Sequence, residues 1–393
     1  MSFNTLKPTK YKSLLAIAVT TLSLTATAAD FDKDGIYYNI TSTQNKTVEV
    51  TGTQTYPATY KNRVTIPASV TYNGTTYSVT AIGAGAFIIS ESLQSVSIPG
   101  SVKEIKIGAF AGCTGLTAVT LPAGLTTIGE KCFEGCRSLT SIQVPASVTS
   151  IGEYAFRSCS GLTSITVESG NTTYDSRNNC NAIVHTASNQ IIAACRNTTI
   201  PASVTSLGTA AFYGQTDLQT VAIPTTITSI GRRTFQGCTA LKSIHIPASV
   251  ATIEDYAFWG CTSLANVFTH TKQPSSLALH TFQGIADNCT LYVTNGTKTT
   301  YTAAGWNTEV FPGGITEFTP GDVNGDGEVD IMDATIIVYY MLGRTTNLNL
   351  TVADVNGDGG VDILDPTIII YQHVLGRSAN AAKTRPQALP DPQ

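Results

Sequence analysis

The segment Val144-Pro-Ala-Ser-Val-Thr-Ser-Ile-Gly-Glu-Tyr-Ala-Phe156-Arg-Ser-Cys159-Ser-Gly-Leu162-Thr-Ser-Ile165 decides the fold, because versions of it recur through the middle of this chain of 393 residues. Aligned on their phenylalanine, the copies place it at Phe87, Phe110, Phe133, Phe156, Phe212, Phe235, Phe258 and Phe282. The successive spacings are 23, 23, 23, 56, 23, 23 and 24 residues. A fixed period of this size is typical of repeat proteins, in which each unit packs only on its neighbours.

Each repeat contains one predicted strand and one turn. A leucine lies six residues after the phenylalanine, as Leu162 does after Phe156, and a valine or isoleucine lies nine residues after it. The Leu-x-x-Val-x-Ile segment therefore alternates apolar residues as a strand does, and the following proline cannot continue a ladder. The Ile-Gly-x-x-Ala-Phe segment is predicted to be a turn with a short helical turn. One unit cannot bury its own apolar edge, so we predict a right-handed solenoid of stacked units with parallel strands.

The repeat motif closely resembles the BspA-type leucine-rich repeat, with repeats expected over residues 64–289. The step of 56 residues leaves an insertion at 168–199, and its 171–180 run resembles an insertion that recurs in that family. Segments rich in Asn and Asp are usually surface turns, whereas long insertions on a solenoid often carry binding, so both roles stay open. The resemblance implies a leucine-rich-repeat fold and a bacterial surface or adhesion protein.

Five of the nine cysteines follow the repeat period, three residues after the phenylalanine, and Gln215 replaces the cysteine once. The period predicts that these five pack inward as free thiols: Cys113, Cys136, Cys159, Cys238 and Cys261. Cys180 and Cys195 share the insertion and could form a disulfide in an oxidising compartment. No Cys-x-x-Cys occurs, so neither a zinc site nor a redox site is indicated.

The regions flanking the repeats are predicted caps and connections. An N-terminal cap is expected at 29–63, followed by a hairpin at 70–79 with an Asn-Gly turn. A C-terminal cap is expected at 290–312, with Trp306 exposed. A linker is expected at 313–320 and a disordered tail at 379–393.

Two acidic loops near the C-terminus share one spacing of oxygen-bearing side chains. Positions 1, 3, 5, 9 and 12 of each loop carry them, and position 6 is glycine. That is the EF-hand pattern, in which a hard cation takes six to eight oxygens and the glycine permits a sharp turn. We predict two Ca²⁺ ions, with ligands from Asp322, Asn324, Asp326, Glu328, Asp330 and Asp333 in the first loop and from Asp354, Asn356, Asp358, Gly360, Asp362 and Asp365 in the second.

The loops depart from a usual EF-hand because position 12 is aspartate, and each loop is followed by a single apolar segment that ends in Leu-Gly-Arg. This duplicated loop and helix closely resembles a type I dockerin over residues 321–378. The resemblance implies a small α-helical calcium module that docks onto the cohesin module of a scaffold or surface protein. The best-known dockerins carry a Ser/Thr pair at loop positions 10 and 11. Here Ile331-Met332 and Ile363-Leu364 occupy them, and each apolar pair either packs inside the module or contacts a partner.

The N-terminus predicts export. Lys7, Lys10 and Lys12 precede a short, mostly apolar run at 13–24, and small residues follow, so 1–28 is predicted to be a signal peptide. The run is too short to serve comfortably as a membrane-spanning helix. We expect a secreted protein, extracellular or associated with the cell surface, with no direct membrane insertion.

Charge gives no reason to expect a nucleic-acid partner. The chain has a net charge of −4 and only 13% charged residues. The acids are concentrated in the dockerin-like segment, which leaves the middle of the chain near neutral. Neither nucleic acid nor anionic lipid would be attracted to such a surface.

The sequence predicts no enzyme. Its five histidines are scattered, and neither a His-Glu-x-x-His motif, a Gly-x-Ser-x-Gly elbow nor a phosphate loop occurs. His245 is expected to point outward from a strand as a tolerated surface residue. Other outward strand positions, from Ser95 to Ser243, are small and polar. Without paired carboxylates or an aromatic platform, this face lacks the groups for glycoside hydrolysis or sugar stacking.

The favoured function is that of an exported, noncatalytic binding or adhesion protein. It would present a leucine-rich-repeat surface to an unidentified ligand and dock through the calcium-dependent module to a cohesin-bearing scaffold or surface. One alternative is a purely structural surface protein whose calcium module is a stabilising tail. A further alternative is a polysaccharide-degrading hydrolase whose active site is not recognisable.

Overall fold

The computed structural model describes residues 28–52, 60–275, 277–278, 280–323, 329–344, 348, 350–356 and 360–370. The chain forms two compact units. The first contains the residues up to Thr198 together with Gly208–Asp217, and the second contains Thr199–Leu207 and the chain from Leu218 onward. The predicted signal peptide, except Ala28, and the predicted tail lie outside the described residues.

Short strands make up most of the first unit. They are β1 (Phe31–Lys33), β2 (Ile36–Ser42), β3 (Thr47–Thr51), β4 (Asn62–Thr65), β5 (Ser69–Tyr72), β6 (Thr75–Ile82), β7 (Leu93–Ser97), β8 (Glu104–Ile105), β9 (Ala118–Thr120), β10 (Thr127–Ile128), β11 (Ser141–Val144), β12 (Ser150–Ile151), β13 (Ser164–Val167), β14 (Tyr174–Asp175), β15 (Ala182–His185) and β16 (Gln190–Ala194). Strands β1 to β3 form an antiparallel meander, and β3 pairs in parallel with β6. Strands β5 and β6 form the predicted hairpin, in which Asn73 and Gly74 have φ of 47° and 76°, as a two-residue type I′ turn requires.

Most repeats add two parallel strands, where the sequence predicted one, although the Leu-x-x-Val segment that begins at Leu218 forms no strand. The Leu-x-x-Val segments pair as β4, β7 and β9, and as β11 and β13. The short segments that end at the isoleucine five residues before each phenylalanine form a second ladder through β6, β8, β10 and β12. Both ladders place equivalent repeat positions side by side, with Ile142 beside Ile165 and Ile128 beside Ile151. The predicted stacking of parallel strands is confirmed. The second strand was not predicted, because a segment of two residues is too short to show a hydrophobic periodicity.

The phenylalanine of each repeat lies on a series of hydrogen-bonded turns. The N–H of Phe87 donates to Ala109 O in the next repeat, at 2.7 Å, whereas the N–H of Ala86 donates to Gly83 O within its own turn, at 3.2 Å. Residues two before and two after the phenylalanine have positive φ, and some of them are not glycine: Tyr154 has φ of 59° and Ser158 has φ of 57°. Because positive and negative φ values alternate along this segment, successive N–H groups point toward different partners. Some bond within their own turn and others bond to the next repeat.

Stacked phenylalanines form the centre of both units. In the first unit the ring centroids of Phe87 and Phe110 are 4.9 Å apart, and those of Phe110 and Phe133 are 5.3 Å apart. In the second unit Phe258 lies 5.2 Å from Phe235 and 5.0 Å from Phe282. The ring planes within each pair differ by 10° or less. Phenylalanine therefore stacks on phenylalanine in offset pairs, as the repeat period predicted.

The cysteine ladder is hydrogen-bonded as well as packed. Cys136 Sγ donates to the carbonyl oxygen of Phe110 at 3.2 Å, and Cys113, Cys159 and Cys261 donate in the same way at 3.0 to 3.1 Å. Burial raises the pKa of Cys113, Cys159 and Cys261 to about 12. All nine cysteines are free and buried, including the pair in the insertion.

The second unit continues the repeats and carries the C-terminal module. Its elements are β17 (Ser206–Leu207), β18 (Ser229–Ile230), β19 (Ser243–Ile246), β20 (Thr252–Ile253), β21 (Asn266–Thr269), β22 (Thr290–Thr294), β23 (Ile315–Phe318), α1 (Lys298–Ala303), α2 (Ile331–Met341), α3 (Leu350–Ala353) and α4 (Leu364–Ile369). Strands β17, β18 and β20 form one parallel ladder, and β19, β21, β22 and β23 form another. None of the described helices has the length and apolar character needed to cross a membrane.

The end of the repeat domain differs from two sequence expectations. Residues 315–318 of the expected linker are strand β23, which extends the ladder beside β22. Trp306 was expected to be exposed, but only 1% of its surface is accessible. Its ring packs against Phe282 and Phe311, and its Nε1 donates to Ser275 O at 3.1 Å. The last phenylalanine of the stack has no following repeat, so these aromatic rings cover it.

Candidate calcium loops and interaction surfaces

The two acidic loops are positioned by a small apolar core of their own. Ala334 and Ile337 of α2 pack with Ala353 of α3 and Ile369 of α4. Of the predicted calcium ligands, eight belong to the described residues: Asp322, Asp330, Asp333, Asp354, Asn356, Gly360, Asp362 and Asp365. The other four lie outside them: Asn324, Asp326, Glu328 and Asp358.

Position 12 has the same geometry in both loops. Asp333 Oδ1 accepts from the N–H of Val323 at 2.8 Å, and its Oδ2 accepts from the N–H of Asp330 at 2.9 Å. In the second loop Asp365 accepts from Val355 N–H and from Asp362 N–H, each at 2.8 Å. Each aspartate thus ties position 2 of its loop to position 9, which brings the two ends of the loop together.

Position 9 caps the helix that follows. Asp330 Oδ1 accepts from Met332 N–H at 2.7 Å and forms a capping box with Asp333. Asp362 Oδ1 accepts from Leu364 N–H at the same distance. A carboxylate at a helix N-terminus satisfies an otherwise unpaired N–H and complements the helix dipole.

Three predicted ligand carboxylates are buried. Asp333 and Asp365 have no accessible surface, and Asp354 has 2%. A buried carboxylate is costly unless it is hydrogen-bonded or neutralised. Carboxylate oxygens in such a cluster are also the ligands that Ca²⁺ prefers. The geometry therefore suits a divalent cation at each loop.

The apolar pairs at loop positions 10 and 11 are exposed. Ile331, Met332, Ile363 and Leu364 have between 47% and 62% of their surface accessible. They do not pack inside the module, which excludes the first of the two alternatives that the sequence left open. Exposed apolar side chains grouped on a small module are typical of an interaction surface.

The strand face of the last repeats is aromatic, which corrects the prediction of a uniformly polar face. His245, Phe268 and Tyr292 occupy equivalent outward positions on β19, β21 and β22. The His245 ring stacks on Phe268 at 4.6 Å, and Phe268 stacks on Tyr292 at 4.4 Å. The signal for this ladder in the sequence is the spacing of outward strand positions, continued from His245 to Phe268 and Tyr292.

His245 points outward from its strand as predicted, but it is largely covered there, with only 15% of its side chain accessible. Burial lowers its pKa to about 4, and burial together with His245 lowers the pKa of His270 to about 4. Both imidazoles are therefore neutral near pH 7. Asp354 Oδ2 lies 3.4 Å from His245 Nδ1, a contact between a carboxylate and a neutral ring rather than an ion pair.

The insertion at 168–199 folds onto the first unit. Its strands β14, β15 and β16 are antiparallel. Arg177 holds Asp175 through Nε at 2.8 Å and Nη2 at 2.7 Å. Beside the insertion lies a cleft of about 370 Å³ whose lining includes Glu153, Tyr154 and His185. Nothing described in this cleft has the arrangement of a recognised catalytic site.

A solenoid of parallel strands joined to a duplicated loop-and-helix module defines a repeat protein with an interaction domain. The family of the BspA type leucine rich repeat region matches residues 80–193 and 188–303 in six copies. The dockerin type I domain matches residues 320–372. Because the repeat match covers more than half of the chain, the chain belongs to the BspA-type leucine-rich-repeat family, and it carries a C-terminal type I dockerin domain.

Several solved bacterial leucine-rich-repeat structures are similar to this chain. A protein from Bacteroides ovatus is 23% identical, with a TM-score of 0.43 over 67% of this chain and 71% of that one. A cell surface protein from Faecalibacterium prausnitzii is 22% identical, with a TM-score of 0.36 over 70% of this chain and 97% of that one. A protein from Eubacterium ventriosum is 19% identical, with a TM-score of 0.45 over 67% and 78%. No curated protein matches the chain.

The two domain types set the general role of the chain. Both are noncatalytic types, and both are typical of surface or extracellular proteins. Dockerins in general bind cohesins, and type I dockerins typically bind calcium. The chain therefore has the domains of a protein that interacts with other proteins.

Proposed function

We propose that this protein is an exported, noncatalytic binding or adhesion protein. Its dockerin domain, loaded with two Ca²⁺ ions, attaches it to a cohesin on an extracellular scaffold or cell surface. Its repeats then present a surface to a second ligand.

The exposed apolar pairs carry the docking part of this proposal. Ile331-Met332 and Ile363-Leu364 follow equivalent positions of the two loops and are accessible in both. The polar pair of the best-known dockerins is replaced here, so the matching cohesin surface should be apolar as well. Burying such side chains contributes roughly 25 cal/mol for each Å² of apolar surface removed from water.

The paired loop geometry supports the calcium part. The loop closures by Asp333 and Asp365 are nearly identical in distance, so both loops should bind with similar geometry. Without the ions, the clustered carboxylates of this small module would repel one another. Its described core has only four buried apolar side chains, with six partly buried ones packed against them, so the ions should contribute much of its stability.

Cohesin capture tests the proposal. The full chain is mixed with cohesins encoded by the same organism, in millimolar Ca²⁺ or in excess chelator. We expect capture only with Ca²⁺, and thermal unfolding in chelator should lose the transition of the module while the transition of the repeats stays in place.

Matched variants locate the docking surface. Replacing Ile331-Met332 and Ile363-Leu364 together by Ser-Thr should abolish capture. Trp259→Ala, which changes an exposed apolar residue of the repeats rather than of the dockerin domain, should leave capture intact. If the module folds with Ca²⁺ but no cohesin is captured, the docking proposal is wrong and a structural role for the calcium module is favoured.

A further inference from the structure

Three potential metal ligands meet where the second acidic loop contacts the strand face. His245 lies on β19, His270 directly follows β21, which pairs with β19, and Asp354 begins the second acidic loop. One ligand atom from each lies within 4.8 Å of the other two. Among the described residues, no other group of three or more His, Cys, Asp or Glu side chains converges in this way.

Both imidazoles present a ring nitrogen without a hydrogen-bond partner. His245 Nδ1 and His270 Nε2 are buried, and neither makes a hydrogen bond. The 3.4 Å approach of Asp354 Oδ2 to His245 Nδ1 does not satisfy hydrogen-bond geometry. A buried polar atom without a partner is costly and uncommon, so two of them directed at one point call for an explanation.

The local fold holds the two rings in place. His245 stacks on Phe268, and the rings of the two histidines lie 5.9 Å apart. The edge of Phe318 packs against His270 at 5.4 Å. These contacts restrict rotation of the rings, so the two nitrogens are arranged before any ligand arrives.

We infer that His245, His270 and Asp354 form a binding site for a transition-metal ion of the Zn²⁺ class, separate from the two calcium sites. Two imidazoles and one carboxylate are a ligand set that suits Zn²⁺, whereas Ca²⁺ takes oxygen ligands. In a tetrahedral Zn²⁺ site, with bonds of about 2.0–2.1 Å, ligand atoms are about 3.3 Å apart. The pair His245 Nδ1 and Asp354 Oδ2 already has nearly this separation.

The carboxylate of Asp354 can serve both kinds of site. A carboxylate has two oxygens and binds Ca²⁺ through one or both. Asp354 Oδ2 faces His245, so a Ca²⁺ ion in the acidic loop would be bound through Oδ1. A metal ion here would join the dockerin domain to the strand face of the repeats, so this site would couple two parts of the chain that the proposed function treats as separate.

Zinc titration of the full chain tests the inference. Calorimetry is run with ZnCl₂ in saturating Ca²⁺, so that the acidic loops are already occupied. We expect one Zn²⁺ site, weakened at least about tenfold by His245→Ala or His270→Ala, as loss of a ligand requires. His185→Ala is the control, because His185 Nδ1 already pairs with Ser188 Oγ at 2.8 Å, outside the cluster.

A second readout guards against misfolded variants. Co²⁺ replacing Zn²⁺ should give the visible absorption of a four-coordinate site in the wild-type chain and in His185→Ala. The absorption should be lost in His245→Gln and His270→Gln, which keep a polar side chain of moderate size. Absence of Zn²⁺ uptake in saturating Ca²⁺, or equal uptake by all the histidine variants, would overturn the inference without affecting the cohesin proposal.

Discussion

The Sγ of Cys136 lies 3.2 Å from the carbonyl oxygen of Phe110, one repeat earlier, and donates its proton to it. The same bond joins Cys113 to Phe87 and Cys159 to Phe133, each at 3.0 Å. The cysteines of the repeat therefore connect consecutive repeats. Cysteine suits this position because its side chain is small enough for the narrow space and has one donor for the carbonyl oxygen.

We expect Ser to replace Cys136 better than Ala does. Alanine removes one of the two hydrogen bonds to the Phe110 carbonyl, which also accepts from Cys113 N–H at 3.1 Å, and should cost about 0.5–1.5 kcal/mol, whereas serine keeps a donor there. At Cys289, which is buried and whose thiol makes no hydrogen bond among the described residues, the order should reverse, because serine would bury an unpaired hydroxyl. Urea unfolding of the Ser and Ala variants at the two positions gives the stability ranking at each. The same ranking at both would contradict the proposed role of the thiol hydrogen bond of Cys136.

The thiols should be unreactive in the folded protein. Burial raises the pKa of Cys113, Cys159 and Cys261 to about 12, so almost no thiolate exists at pH 8. A chromogenic disulfide reagent should react slowly with the native chain and should titrate nine thiols in denaturant. A count of seven would show one disulfide, and Cys180 and Cys195 would be the first pair to examine.

Ser158→Gly should stabilise the first unit. Ser158 has φ of 57°, and the same repeat position is glycine in Gly135, which has φ of 74°. Removing the side chain relieves a left-handed conformation that costs about 1 kcal/mol.

The reverse change, Gly135→Ser, is the matched control. A Cβ at Gly135 would meet nothing closer than 3.8 Å, so its cost is conformational and should be of similar size. Thermal unfolding should move in opposite directions for the two variants. If Ser158→Gly instead destabilises the unit, the contacts of the serine side chain stabilise the fold by more than the positive φ costs.

Asp333→Asn and Asp365→Asn should each impair one calcium loop. An amide removes the negative charge and replaces one acceptor by a donor, so it cannot accept from both Val323 N–H and Asp330 N–H as Asp333 does. We expect Ca²⁺ affinity at the altered loop to fall by at least about tenfold. Calorimetry should report one remaining site in each variant, and the exposed acid variant Asp32→Asn should retain two.

The insertion should loosen in acid. Burial raises the pKa of Asp175, but the hydrogen bonds and charge of Arg177 outweigh it and hold the pKa below the usual range. Since the folded pKa is lower than the unfolded one, this carboxylate stabilises the fold above pH about 4 and loses that contribution as pH falls through the folded value. Hydrogen exchange of β14 and β15 should rise at low pH in the wild type, and Asp175→Asn should show a smaller change between neutral and acid pH.

The periodic features of the fold were predictable, because the same contact is repeated in each coil. The Phe87 and Phe110 stack, the Leu-x-x-Val ladder and the inward thiols all follow from one alignment. The second strand of each repeat was not predicted, since its two residues pair only when stacked repeats bring their backbones together. The strand at 315–318 and the burial of Trp306 were missed for a related reason, because neither belongs to the period and both depend on the open end of the phenylalanine stack.

The sequence by itself determined which residues face inward and where the acidic loops begin, because apolar periodicity and ligand spacing are local properties of the chain. Only the tertiary structure decided what lies on the strand face of the last repeats. There, strand pairing places Phe268 beside His245. Asp354, which lies more than one hundred residues later in the chain, also contacts His245. No local sequence pattern predicts the contact between Asp354 and His245, because it depends on how the chain folds back after its last strand.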